Sequence, residues 1–155
     1  MRPVQEMLPS RWGPMPGQQI ITVTALCLLD DRRRLLIVRK RGTAMFMQPG
    51  GKPEAGEGPA ATGARELFEE LGLVVAPEDL VPLGTWTGPA ANEAHTLLVA
   101  TVFRCPLPAP PEPRAEIEEI DWLEIDRQEH RQDLAPLLTD FVLPLLRARP
   151  PGESS

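Results

Sequence analysis

The apolar positions of this 155-residue chain fall into short runs separated by charged or glycine- and proline-rich breaks. The first run, Ile20-Ile21-Thr22-Val23-Thr24-Ala25-Leu26-Cys27-Leu28-Leu29, has the β-branched character of a strand, and Leu35-Leu36-Ile37-Val38-Arg39 reads as a second. Asp30-Asp31-Arg32-Arg33-Arg34 between them is a charged turn, so the two strands are expected to form a hairpin. A glycine-rich loop at 49–57 then leads into a helix expected from Pro59 to Leu71. Pro59 suits its first turn, where a missing N–H costs nothing, and Gly72 suits the left-handed position that closes it. Later strands are expected around Val81 to Thr87, Thr96 to Phe103 and Ile117 to Ile125, with a proline-rich connector at 106–113. Leu134, Leu137, Leu138, Phe141, Val142 and Leu145 recur at helical spacing, with Pro136 in the first turn and Pro144 placed to kink the helix. Residues 1–18 read as an irregular arm, 19–148 as one domain and 149–155 as a disordered tail. Interleaved strands and helices make the expected fold an α/β layered domain with a mixed central sheet.

Charge changes the picture next. The formal net charge is −6, from 16 Lys+Arg against 22 Asp+Glu. That balance argues against gripping bulk nucleic acid or an anionic membrane, which call for a positive footprint. The start of the chain lacks a secretory pattern, and no apolar stretch approaches the roughly 20 residues of a membrane span, so a cytoplasmic location is expected. Cys27 and Cys105 have neither metal-ligand nor disulfide spacing and read as core residues.

On a helical wheel, Ala60, Ala64, Leu67 and Leu71 of the 59–71 helix share one narrow arc with Phe68 on its flank. Glu66, Glu69 and Glu70 fall on the other side with Thr62, as neighbours three and four residues apart. A solvated polar face would interleave lysines. Here the only Lys or Arg between Lys52 and Arg104 is Arg65, against eight acids. Two carboxylates about 6 Å apart repel by roughly 3 kcal/mol at an effective dielectric of about 20, so the cluster is a cost unless a cation sits in it. An all-oxygen, acid-rich set suits Mg²⁺ or Mn²⁺, and two histidines without metal-ligand spacing do not support zinc. The loop is not a nucleotide-binding P-loop, because Lys52 is followed by Pro53 and Phe46 stands where the first glycine would be.

From Gly51 to Leu73 the chain reads Gly, five residues, Glu57, seven residues, Arg65-Glu66-Leu67, one residue, Glu69-Glu70, one residue, Gly72-Leu73. This resembles the complete Nudix box of the Nudix hydrolases. The resemblance implies an α/β/α sandwich and Mg²⁺-dependent hydrolysis of a diphosphate linked to another moiety. It implies that Glu66, Glu69 and Glu70 face the metal and that Glu57 joins them directly or through water. Arg65 would organise the carboxylates, and Gly50 and Gly51 would offer backbone to metal or phosphate. Lys52 is an adjacent cation or a solvated loop lysine. A further acid outside the box is expected as ligand or base, with Glu116, six residues before Trp122, first and Glu119 and Glu93 as rivals.

Substrate identity depends on residues outside the box. Arg39, Lys40 and Arg41 could meet phosphates or a base, or form a solvated strand end. Trp86 could stack on a nucleobase or pack at the sheet. Family sub-patterns exclude more than they select: the chain has no tyrosine and no Ser-Gln-Pro-Trp run, and no asparagine stands near Leu134 to Leu138. The reading that remains is a nucleoside di- or triphosphate pyrophosphatase, with ADP-ribose or a nucleotide sugar as second and a non-catalytic metabolite-binding regulator as third. The expected partner is a small phosphorylated substrate, and a homodimer is left open.

Overall fold

Leu35, Leu36, Ile37 and Val38 are all buried, which requires that the strand carrying them be covered on both faces. A computed structural model describes residues 17–127 and 131–148. Its elements in chain order are β1 (Gln19–Leu28), β2 (Arg34–Lys40), β3 (Gly50–Gly51), α1 (Pro59–Leu71), β4 (Val81–Pro89), β5 (Thr96–Cys105), β6 (Ile117–Glu124) and α2 (Leu143–Arg147). A single 3₁₀ turn, Pro77–Asp79, precedes β4. The proposed arm and tail lie mostly or wholly outside the described residues.

Four strands form one sheet in the order β3-β1-β5-β4, and β2 and β6 form a second, two-stranded sheet. β1 runs parallel to β5, and every other pairing is antiparallel, so the main sheet is mixed. The expected hairpin of β1 with β2 is overturned. Asp30 does build the turn, accepting from Arg32 N and Arg34 N at 3.0 and 2.8 Å. After one bridge, Leu29 to Leu35, the strands part, and β2 pairs with β6 instead. Both edges of β1 are taken by β3 and β5, so β2 has no edge left to join.

Alternation along β1 builds two cores. Ala25 and Cys27 face a cluster with the C-terminal helical residues Leu138, Val142 and Leu146. Leu26 and Leu28 face a cluster with Leu67 and Leu71 of α1. Helices therefore cover opposite sides of the sheet layer, the α/β/α order expected. The helix at 59–71 ends as anticipated, with Gly72 at φ 70°. Phe68 departs from expectation: it is 53% exposed, its ring under the Arg114 guanidinium at 5.9 Å. Pro136 opens the C-terminal helical run, and Pro144 acts through a π-turn over Leu138–Val142. There Leu143 N–H donates to Leu138 O, five residues back, which widens the helix ahead of the proline that lacks a donor.

Candidate active site

Gly50 and Gly51 pair with Ala25 and Thr24 as the short strand β3, a pairing the loop reading did not anticipate. Both positions exclude a side chain. A Cβ at Gly50 would overlap the Thr24 carbonyl, and one at Gly51 would overlap the Glu66 carboxylate. Thr24 Oγ1 donates to Pro59 O at 3.0 Å, so the same strand that holds the glycines also holds the start of α1. The glycine strand and the acidic helix are thereby set side by side.

The acidic side of α1 is solvated only in part. Thr62 is buried, and Glu70 is only 2% exposed. Glu70 Oε1 accepts from Gly50 N at 3.1 Å, while its Oε2 is buried with no partner among the described residues. Burial first, and the neighbouring Glu66 and Glu116 charges after it, push the Glu70 carboxyl up to about 8 against the opposing Gly50 N–H and Lys40. Glu66 is raised as well, chiefly by burial. These are groups whose charge the protein alone does not balance.

Arg65 occupies the centre of the remaining acids. Its Nε and Nη2 donate to the two oxygens of Glu57 at 2.8 and 2.9 Å, in a bidentate pair. Its Nη1 donates to Glu66 Oε2 at 3.2 Å and Glu69 Oε1 at 3.1 Å, and its Nη2 also donates to Lys52 O at 2.9 Å. Glu57 further accepts from Glu54 N and Thr62 Oγ1 at 3.0 and 2.8 Å. The Arg65 hydrogen bonds, foremost among these, hold the Glu57 carboxyl near 2. Arg65 is thus an organiser with a dense set of contacts, and Glu57 gives both oxygens to the protein. Glu69 is half exposed. Arg65 contacts Glu57, Glu66 and Glu69, and no three acidic, histidine or cysteine side chains among the described residues converge as a ready-made metal cage. The orphaned Glu70 oxygen beside the half-buried Glu66, an all-oxygen pair of donors, nevertheless fits a hard divalent cation.

Of the outlying acids, Glu116 is the one whose charge reaches both Glu66 and Glu70. It sits in the turn before β6 and pairs with Lys40 at 3.3 Å. Glu119 pairs with Arg39 at 3.0 Å, and Arg39 also donates to Thr43 O, so Arg39 is committed to the strand pair and does not line the cavity below. Arg41 Nε meets Glu118 at 3.4 Å.

A cavity of about 420 Å³ opens beside this cluster, within the span of small-molecule sites. Gly50, Gly51, Lys52, Arg65 and Glu66 are among the residues that line it, with Lys40 and Glu93. Trp86 is absent from its walls: on β4 the ring lies across Gly88, where a Cβ would strike it, and packs against the core under α2. Trp86 is therefore not among the described residues that line this cavity, where a stacking role was expected of it. Sequence reasoning missed Gln48 and Asn92, which do line the cavity. The available signal was a lone polar residue in Met45-Phe46-Met47-Gln48 just ahead of the glycines.

A family model of the NUDIX domain matches residues 19–141. Phosphatase NudJ of Escherichia coli strain K12 is 26% identical over 123 residues, covering 77% of this chain and 80% of that protein. Among solved structures, the MutT protein of Methanosarcina mazei Go1 superposes with a TM-score of 0.66 at 18% identity, over 84% of this chain and 92% of that one. The MutT NUDIX hydrolase of Burkholderia pseudomallei gives a TM-score of 0.61 at 20% identity, over 74% and 90%.

Proposed function

The chain belongs to the Nudix family, and we propose that it hydrolyses a diphosphate bond in a nucleoside di- or triphosphate or a related nucleotide, with Mg²⁺ or Mn²⁺ held by Glu66, Glu70 and Glu69. Membership makes it a hydrolase of the pyrophosphatase type. The observation that carries the finer reading is the buried Glu70 oxygen without a partner among the described residues, beside Gly50 and close to Glu66, both of which line the cavity. A carboxylate kept dry and uncompensated is a standing cost that a bound cation removes.

When bound, the ion would polarise a phosphoryl oxygen and lower the pKa of a water. The chain's own residues do the rest. Arg65 holds Glu57, Glu66 and Glu69 in fixed rotamers by charge-assisted bonds, so that ligand oxygens do not have to be ordered at the moment of reaction. Gly50 presents backbone where any side chain would collide with β1. Lys52 and Lys40, both on the cavity wall, supply positive charge for the phosphates. Glu116 and Glu69 are each about half exposed, and on this reading one of them takes the proton of the attacking water.

The test is turnover on a panel of nucleoside di- and triphosphates, ADP-ribose and nucleotide sugars, with Mg²⁺ and with EDTA, and with products identified by chromatography. Metal-dependent release of inorganic phosphate or pyrophosphate from a nucleotide is the expected result. Preference for ADP-ribose or a nucleotide sugar would move the substrate assignment. Binding without turnover anywhere on the panel would overturn it.

A further inference from the structure

Ala115 has a φ of 53°, in the left-handed region that glycine enters freely and a residue with a Cβ rarely occupies. It stands in a tight turn closed by Ile117 N–H, which donates to Arg114 O at 2.9 Å. Such a conformation persists where the surroundings fix it, and here both flanks are fixed. On the near flank, Glu112 N donates to Leu71 O at 3.1 Å and Arg114 N donates to Glu70 O at 2.8 Å. These are carbonyls of the last turn of α1, which the helix itself leaves without a donor. The Arg114 guanidinium lies over Gly72, where a Cβ would strike it, and over the Phe68 ring. On the far flank, Arg41 N donates to Glu116 O at 2.7 Å.

The start of β6 is irregular as well. Arg39 opposes Glu119 but Lys40 opposes Ile117, so Glu118 is an extra residue in the ladder, a β-bulge. Ile117, Ile120 and Trp122 consequently all reach the core under α1, although positions 117 and 120 of a regular strand would face opposite ways. Glu118 turns to Arg41 at 3.4 Å, and Lys40 meets Glu116 at 3.3 Å. Glu116 is thus held on each side. Behind it is a turn bonded to the backbone of Glu70, and ahead of it is the buried Ile117. Its charge reaches both Glu66 and Glu70.

We infer that Ala115 is a positioning residue: its left-handed turn ties Glu116 to the end of the acidic helix and holds that carboxylate at the edge of the cluster. The inference rests on the hydrolase reading, with Glu116 as the acid that takes the proton of the attacking water. It adds that the acid is delivered by the same stretch of backbone that closes α1, so it need not be ordered during the reaction.

The experiment is a double-mutant cycle between position 115 and Glu116. Ala115→Val puts a β-branched side chain where φ is positive, a conformation it does not adopt. Ala115 is exposed, so the change acts on the backbone and not on packing. Circular dichroism should report a folded protein, and Ala115→Thr is carried as a second β-branched variant. With Mg²⁺ and the preferred nucleotide, each should lose at least about tenfold in kcat with KM within about threefold of wild type. Ala115→Gly, which accepts the left-handed conformation, should keep kcat within about twofold. In a Glu116→Gln background, Ala115→Val should cost less than about twofold more, because its effect passes through the Glu116 carboxylate. Amide hydrogen exchange gives a readout apart from turnover. Ile117 N–H should be protected in wild type and in Ala115→Gly, and should exchange at least about tenfold faster in Ala115→Val. A purely structural turn would give equal losses from Ala115→Val in both backgrounds. That additivity, full activity of Ala115→Val or of Glu116→Gln, or unchanged exchange of Ile117 overturns the inference and leaves the hydrolase reading intact. A wild type without turnover on any nucleotide overturns both.

Discussion

Replacing Glu70 by Gln isolates the one carboxyl group that the metal-free protein is least able to ionise. It is 2% exposed, and among the described residues its side chain's only hydrogen-bond partner is Gly50 N–H. Burial moves its pKa from 4.5 to about 8. A carboxyl raised in the folded state binds more protons than the unfolded chain, so its contribution to stability is fully present below the unfolded value of 4.5. That contribution is lost as pH rises through about 8. At 1.36 kcal/mol per unit, the metal-free protein should lose about 3 kcal/mol from this group between pH 4.5 and 7, and about 5 kcal/mol by the top of the window. Glutamine has nearly the shape of the neutral acid and does not titrate. In EDTA, urea denaturation from about pH 5 to 8 should give E70Q a flatter stability profile than wild type, and E70Q should be the more stable protein at pH 7. Glu66 titrates in the same direction and is retained in both, so the difference between the two profiles reports Glu70. Adding Mg²⁺ at 100 times its Kd should stabilise wild type by about 2.7 kcal/mol and E70Q by far less. Parallel profiles in EDTA, or equal stabilisation of both proteins by Mg²⁺, would refute the reasoning.

The organising role of Arg65 predicts that Arg65→Ala, which leaves Glu57 and Glu66 without their cation, costs about 2–4 kcal/mol in urea denaturation and at least a hundredfold in kcat. Arg65→Lys keeps the charge but not the paired contacts to Glu57, and should recover less than half of either loss. Gly51→Ala drives a Cβ into the Glu66 carboxylate, so circular dichroism should report a folded protein whose turnover falls at least tenfold. Glu116→Gln should lower kcat by about 10–100-fold, while Glu119→Gln, on a residue committed to Arg39, should change kcat less than about threefold.

The helix at 59–71 was legible because its stops are local: Pro59 and Gly72 each satisfy a backbone requirement of one terminus. The partner of β2 was not, because it depends on which edges remain after β3 and β5 have taken β1. Four consecutive buried apolar residues, Leu35 to Val38, are the mark of a doubly covered strand, and the tight Asp30 turn outweighed it. Within the site, spacing put Glu66, Glu69 and Glu70 on one side of the helix. It said nothing of how each would differ: Glu69 half exposed, Glu66 half-buried, Glu70 dry. That gradient comes from β3 closing over one end of the cluster, a contact between residues 20 apart.

The central claim is that the carboxylates beside Gly50 and Gly51 form a divalent-cation site. Its most direct test is equilibrium binding of Mn²⁺, with free ion read by electron paramagnetic resonance, to wild type, Glu66→Gln, Glu70→Gln and the distant control Glu119→Gln. The account predicts saturable binding to wild type and to the control. It predicts at least about tenfold weaker binding to either of the other two, as expected for loss of an oxygen ligand from a hard-cation site. Equal binding by all four proteins would contradict it.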